Sequence, residues 1–202
     1  MSDTNKITIQ SYNEHIQEYI DGTPQEVTSS VKQWIDAALD GLPLDARILE
    51  IGSAFGRDAA YIEEQGYSVD RTDATPAFVE RLQNNGYEAR LLNVITDEIG
   101  NQYDMVFADA VLLHFTRQET QEVMTKIYNS LKENGRFSFS LKIGEGDAWS
   151  EDKLHAPRYF CYWNRDEISA VLENTGFTNK KINESASSSH NSTKWLHIIA
   201  EK

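Results

Sequence analysis

The sequence holds one cysteine in 202 residues, Cys161. A lone thiol excludes an intrachain disulfide and any cysteine-built zinc knot. It lies in the run Tyr159-Phe160-Cys161-Tyr162-Trp163 and reads as a small buried hydrophobe rather than a nucleophile. Histidines do not cluster and the acids lack metal-loop spacing, so no metal site is expected. No apolar run approaches the roughly 18 residues of a membrane helix. Met1 to Gln10 is polar and carries no signal-peptide core. These absences lead us to expect a soluble, cytoplasmic protein without a membrane partner. Positive charge is also scarce: 19 Lys and Arg stand against 32 Asp and Glu, a formal net charge of −13. That balance argues against long nucleic acid as a partner, because phosphate contacts need clustered Lys and Arg. The only adjacent basic pair is Lys180-Lys181. The acidic excess serves solubility, and it would attract a cationic ligand.

Forty per cent of the residues are hydrophobic, enough for a sizeable core, and the length suits one domain, 1–202. No repeat or low-complexity segment interrupts it, and the Ser- and Asn-rich stretch 185–192 reads as a surface turn. Two helical patterns come first. Residues 9–20 are weakly amphipathic. Thr23-Pro24-Gln25-Glu26 then reads as a capping box, with Val27, Val31, Trp34, Ile35 and Ala38 following at helical spacing. From Ala46 onward strands and helices alternate. Strands are expected over 47–51, 67–72, 87–92, 103–108 and 135–142, and helices over 58–65, 76–84 and 118–132. Thr75-Pro76 and Thr116-x-x-Glu119 cap two of these helices. Asn164-x-x-Glu167 opens a last helix that Gly176 stops. Segments 182–186 and 195–200 suggest a closing hairpin. The alternation predicts an α/β fold, a mostly parallel sheet with helices on both faces.

The densest signal is Ile48-Leu49-Glu50-Ile51-Gly52-Ser53-Ala54-Phe55-Gly56-Arg57-Asp58, followed by Asp73. An apolar run ends in an acid and a glycine, a second glycine opens a helix, and an acid closes the next apolar run. This is the layout of a nucleoside-binding β-α-β unit. Gly52 permits a sharp turn, Gly56 lets the helix start pack close, and Asp73 can accept hydrogen bonds from ribose hydroxyls. The dinucleotide pattern G-x-G-x-x-G is missing. Ala54 replaces its middle glycine, which normally gives a pyrophosphate room, and Arg57 stands at the third position.

The form E-x-G-x-x-x-G with Asp73 resembles motif I and the ribose-binding acid of class I S-adenosylmethionine (SAM) dependent methyltransferases. The resemblance covers about 47–202, with 1–45 as an N-terminal helical lid and 46–202 as the SAM-binding core. It implies a Rossmann-like seven-stranded sheet whose last strand runs antiparallel between its neighbours. It implies SAM as cofactor and S-adenosylhomocysteine as product. Ligands in such sheets sit beyond the carboxyl ends of the strands, so the residues there are the candidates. Glu50, Gly52, Ser53, Ala54 and Gly56 follow or close the first strand, where backbone amides could meet the SAM carboxylate. Arg57 could add a cation there, or be a surface arginine. Asp73 and Ala74 follow the second strand. Asn93 and Val94 follow the third, where an amide could read the adenine, or simply form a turn.

Ala108 and Asp109 follow the fourth strand, with Asp109 either a second base or a helix cap. His114, further along, is a candidate general base, since imidazole titrates near neutrality, or a structural histidine. The acceptor is expected against the long loop 142–163, where Lys142, Glu145 and Arg158 could orient it and aromatics such as Tyr159 and Trp163 could wall it. Those aromatics could equally be core, and Arg158 half of an ion pair. Tyr12 and Tyr19 lie in a helix that resembles the family's lid. The expected activity is in-line methyl transfer to a small molecule. Methylation of a peptide or protein side chain or terminus, or a non-catalytic SAM-binding module, are the alternatives.

Overall fold

A computed structural model describes residues 2–27, 29–186 and 193–202. The greater part of the Ser- and Asn-rich stretch, 187–192, lies outside the described residues. The elements are α1 (Asp3–Glu14), α2 (Ile16–Asp21), α3 (Ser29–Leu39), β1 (Arg47–Ile51), α4 (Arg57–Glu64), β2 (Ser68–Asp73), α5 (Pro76–Asn84), β3 (Ala89–Leu91) and β4 (Tyr103–Ala108). After a single 3-10 turn, Leu112–His114, come α6 (Arg117–Ser130), β5 (Leu131–Lys142), β6 (Asp147–Ser150), β7 (Arg158–Cys161), α7 (Arg165–Thr175), β8 (Thr178–Ala186) and β9 (Lys194–Glu201).

Seven strands form one sheet in the order β3-β2-β1-β4-β5-β9-β8. The first five run parallel, and β9 runs antiparallel to both β5 and β8. The central strands are apolar on both faces because both faces are covered. Leu49, Ile51, Val106, Phe137 and Phe139 belong to one core with α6 and α7, whereas Ile48, Met105 and Phe107 join Trp34, Ile35 and Ile62 on the other side. Strand order reverses between β1 and β4, which opens a crevice beyond Ile51 and Ala108. Local signals set the helix ends. Thr116 with Glu119 and Asn164 with Glu167 both close capping boxes, and Gly176 takes the left-handed C-cap of α7 at φ 109°.

Three expectations change. The Thr23–Glu26 box does not start a helix; α3 begins at Ser29. Its side chains serve the preceding helix instead, with Thr23 Oγ1 donating to the Tyr19 carbonyl and Gln25 Nε2 to that of Ile20. The pattern over 9–20 is two helices, broken at His15, and α1 begins as early as Asp3. The segment read as one long loop carries β6 and β7, a separate antiparallel pair in register from Asp147↔Cys161 to Ser150↔Arg158. This arm lies against α1, where Thr8 Oγ1 accepts the Tyr159 N–H at 3.0 Å and Ser11 Oγ donates to the Pro157 carbonyl at 2.6 Å.

Candidate active site

A cleft opens at the crevice and is roofed by α1 and α2. Its floor is the turn after β1. Gly52 has φ 75°, and a Cβ there would stand 2.4 Å from Val111 Cγ2, so the turn rests against the segment after β4. Ala54 (φ 48°) and Ala110 (φ 56°) line the same wall in left-handed conformations that side chains disfavour. Asp73 holds the turn in place. One of its carboxylate oxygens accepts the Ala54 N–H and the other the Thr75 N–H, each at 2.8 Å. Burial pushes its carboxyl above the usual range. Each oxygen keeps a lone pair for a ligand hydroxyl.

Of the residues expected at the cofactor, Gly52, Ala54, Asp73, Ala74, Asn93, Val94 and Asp109 line this cleft. Asn93 does so while also forming a turn: its Oδ1 accepts the Ile95 N–H, and its Nδ2 donates to Asn5 Oδ1 in α1 at 2.8 Å. Glu50, Ser53, Gly56, Arg57 and Ala108 do not line it. Ser53 clamps β1 to β2, exchanging hydrogen bonds with the backbone of Thr72. Gly56 turns at φ 88° and faces Leu82 of α5, 2.8 Å from where its Cβ would be. Ala108 is fully buried. The amides of Ser53, Ala54 and Gly56 are bonded to Thr72 O, Asp73 Oδ2 and Ser53 O respectively. Arg57 is neither a surface residue nor a spare cation. It pairs with Asp58 at 2.7 Å and with Asp109 at 3.1 Å, and Asp109 in turn accepts from Ser140 Oγ at 2.6 Å.

Beneath this network Glu50 is buried, and its Oε2 has no partner among the described residues. Burial, reinforced by the nearby Asp58, pushes its carboxyl up to about 8. Asp58 itself is pushed up to about 6 by burial and by Asp109, against the pull of Arg57.

At the other end of the cleft His114 is buried between two partners. Nδ1 lies 2.7 Å from the Tyr159 carbonyl and Nε2 lies 2.9 Å from the Tyr12 hydroxyl. A carbonyl only accepts, so Nδ1 carries the hydrogen and Nε2 accepts from Tyr12. Arg158 Nη1 donates to the same hydroxyl at 3.2 Å. Hydrogen bonds thus run in one direction from Arg158 through Tyr12 and His114 to Tyr159. Burial, with Arg158 and Lys142 nearby, drives the imidazole down to about 3, so His114 is neutral at ordinary pH. Tyr12 also packs edge-on against Tyr19, whose ring meets Phe78 and Phe55.

The acceptor residues expected from the sequence divide. Tyr12 and Tyr19 line the cleft. Arg158 is 6% exposed and forms no ion pair among the described residues. Tyr159 contributes its carbonyl, while its ring packs on Trp149. Lys142 stands over Phe160 and does not line the cleft. Glu145 is exposed in the turn before β6, and Trp163 is buried core beneath Arg117. Neither reaches the cleft. Sequence reasoning missed a second cavity that shares Tyr19, Asp109 and Ala110 with the first and adds Lys153, Trp195 and His197. No local pattern marks those three. It also missed Asn5 and Thr8, the polar inward face of α1, although their three-residue spacing is helical.

Comparison with known proteins fits this geometry. Residues 49–137 match the family described as a methyltransferase domain. No curated protein matches the sequence. Among solved structures, the chain is similar to Burkholderia thailandensis 1,6-didemethyltoxoflavin-N1-methyltransferase with bound 1,6-didemethyltoxoflavin and S-adenosylhomocysteine. The TM-score is 0.74 at 19% identity, covering 100% of this chain and 91% of that one. It is similar to Haemonchus contortus phosphoethanolamine N-methyltransferase 2 in complex with SAM, with TM-score 0.74, 15% identity, and 100% and 60% coverage. It is also similar to a SAM-dependent methyltransferase from Methanosarcina mazei, with TM-score 0.70, 15% identity, and 88% and 98% coverage. At these identities the likeness is one of fold. No helix among the described residues is long and apolar enough to cross a membrane, and no group of three or more potential metal ligands occurs among them.

Proposed function

We propose that this chain is a class I SAM-dependent methyltransferase, a reading supported by the methyltransferase-domain match over 49–137 and by the fold, and that it methylates a small molecule held under α1 and α2. The residues fit SAM. Gly52, Ala54, Asn93 and Val94 line the cleft with Asp73, which offers lone pairs at the end of β2. We assign Asp73 to the ribose, Asn93 and Val94 to the adenine, and the turn Gly52–Ala54 to the amino-acid end. Bound there, SAM supplies an electrophilic methyl group on a sulfonium. The rings of Tyr12, Tyr19 and Phe78 offer π-faces to a cation and keep water out.

The observation that carries the acceptor side is the Tyr12–His114 pair, which faces the same cleft as Asp73. The Tyr12 hydrogen is committed to His114 Nε2 and one lone pair to Arg158, which leaves one lone pair. That lone pair can accept a hydrogen from the acceptor and so aim the acceptor's own lone pair at the methyl group. Alignment of this kind is most of what an in-line displacement asks of a protein. A proton passed to Tyr12 would shift the tyrosine's own proton to Nε2 and create an imidazolium next to Arg158 and Lys142. Burial disfavours that charge. The pair therefore orients the acceptor; it does not store a proton. The neighbours described above, a 1,6-didemethyltoxoflavin and a phosphoethanolamine N-methyltransferase, act on small molecules, which supports the same class here.

The test is incubation with methyl-labelled SAM and a fractionated metabolite extract. Label should appear in a small-molecule fraction and fall away with Tyr12→Phe. Label confined to peptide or protein would turn the assignment to a macromolecular acceptor. SAM binding without any transfer would favour a binding module.

A further inference from the structure

We propose that the acceptor carries an anionic group, a phosphate or a carboxylate, received by Arg158, Lys142 and Lys153; this rests on the methyltransferase reading. A buried cation without a carboxylate is conspicuous, and Arg158 is one. Arg57, Arg71, Arg117 and Lys132 each form an ion pair. Arg158, Lys142 and Lys153 form none among the described residues, and they sit together. Lys142 Nζ and Arg158 Cζ stand 4.0 and 5.1 Å from the centre of the same ring, Phe160. Lys142 closes β5, Arg158 opens β7, and Lys153 lies in the turn between β6 and β7.

Arg158 is the strongest of the three. Its guanidinium is buried, and its partners are the Tyr12 hydroxyl and the Asp152 carbonyl, both neutral. Its Nε is buried with no partner. A buried charge lacking a counter-charge is unfavourable, and the penalty is removed when a ligand brings one. Lys153 is open to solvent on the wall of the second cavity. Its Nζ lies 4.1 Å over Tyr19 and donates to Thr23 Oγ1 at 2.6 Å. Its backbone has φ 72°, a conformation that a lysine adopts only under constraint. The electrostatics agree. Burial and the neighbouring Arg158 hold the Lys142 ammonium down to about 8, countered only by Asp152, and the charges acting on Lys153 are the cations Arg158, Arg57 and Lys142.

Position completes the argument. Arg158 and Lys142 line neither cavity themselves; Arg158 stands one hydrogen bond behind Tyr12, which lines the first, and Lys153 lines the second and touches Tyr19, which lines both. An anion held by these cations would leave the rest of the acceptor between the two tyrosines, where its nucleophile meets the Tyr12 lone pair.

Inorganic phosphate and acetate are suitable probes, each titrated by calorimetry into protein saturated with S-adenosylhomocysteine. At least one should bind saturably. Lys153→Gln, Lys142→Gln and Arg158→Lys should each weaken it about tenfold, the usual scale for one charge-assisted partner. Lys153→Arg should restore binding, and S-adenosylhomocysteine affinity should change less than about twofold in the lysine variants, which also certifies their fold. Phosphate binding alone identifies a phosphate acceptor, and acetate binding alone a carboxylate. Neither anion binding, or binding that all three substitutions leave unchanged, would overturn the inference while the methyltransferase reading stands. Failure of the wild type to bind S-adenosylhomocysteine would overturn both.

Discussion

The Tyr12 hydroxyl lies 2.9 Å from Nε2 of His114 and joins the first helix to the 3-10 turn after β4 across 102 residues of sequence. Because His114 Nδ1 is bound to the Tyr159 carbonyl, the direction of that hydrogen bond is fixed. The same two bonds tie α1, the 3-10 turn and β7 into one wall of the cleft.

Tyr12→Phe should therefore reduce kcat by about ten- to a hundredfold, the scale of a lost orienting contact. S-adenosylhomocysteine affinity should stay within about threefold. The pH–rate profile should show no break between pH 6 and 7 that depends on His114, because His114 stays neutral down to about 3. A break near 6.5 that His114→Gln abolishes would restore it as the general base.

Asp73→Ala should lower SAM affinity ten- to a hundredfold, the effect of losing a charged acceptor worth roughly 1.5–3 kcal/mol. It should also destabilise the fold. The Ala54 and Thr75 amides lose their acceptor together, at about 1–3 kcal/mol for each group left buried and unpaired. Parallel denaturant unfolding and ligand titration check both effects. Normal SAM binding by the folded variant would exclude the ribose role.

Glu50 predicts a pH dependence of stability. Its carboxyl sits at about 8 when folded and near the ordinary 4.5 when unfolded. Between those values the folded state holds a proton that the unfolded chain has released, so stability falls as pH rises from about 5 to 8, by up to about 1.4 kcal/mol per unit. Glu50→Gln should flatten this fall between pH 6 and 8. Lys142 and Lys153 act in the opposite sense only above about 8. On the acid side, His114 at about 3 and His197 at about 4 refuse protons that the unfolded chain takes up below about 6.5. Below about 6.5 the two histidines therefore oppose Glu50, and their own contribution falls as pH drops, so the fall with rising pH should be read between about 6.5 and 8. Denaturant midpoints measured every half unit test all of this, and equal slopes for wild type and Glu50→Gln would show Glu50 to be ionised in the fold.

Gly52→Ala should cost about 1–3 kcal/mol, since it places a methyl 2.4 Å from Val111 Cγ2 at a positive φ. Val111→Ala in the same chain removes the clashing atom and leaves the backbone strain, so the double variant should recover part of the loss. Strict additivity would mean that the two residues do not meet.

What the sequence made legible was local. The apolar runs of β1 and β4, the boxes at Thr116 and Asn164, and the glycine at 176 act within a few residues of themselves, so pattern alone located them. The misreadings arise where distant groups compete. Arg57 resembles a spare cation until Asp109, far along the chain, captures it. Thr23 has the form of a helix start, yet its hydroxyl finds the Tyr19 carbonyl first. The β6–β7 pair is short and its first strand is mostly exposed, so it carries no apolar alternation. The buried residues of α1 are Asn5, Thr8 and Ser11, which invert the usual helix pattern because they bond to polar groups of β7 and of the segments before it and after β3 rather than pack into a core.

The central claim, a SAM site built on Gly52 and Asp73 with Ala54 where a pyrophosphate-binding turn has glycine, is tested most directly by calorimetric titration with S-adenosylhomocysteine and, in parallel, NAD. The account predicts micromolar binding of S-adenosylhomocysteine that Asp73→Ala weakens at least about tenfold, with no heat from NAD. Tight NAD binding without S-adenosylhomocysteine binding would contradict it.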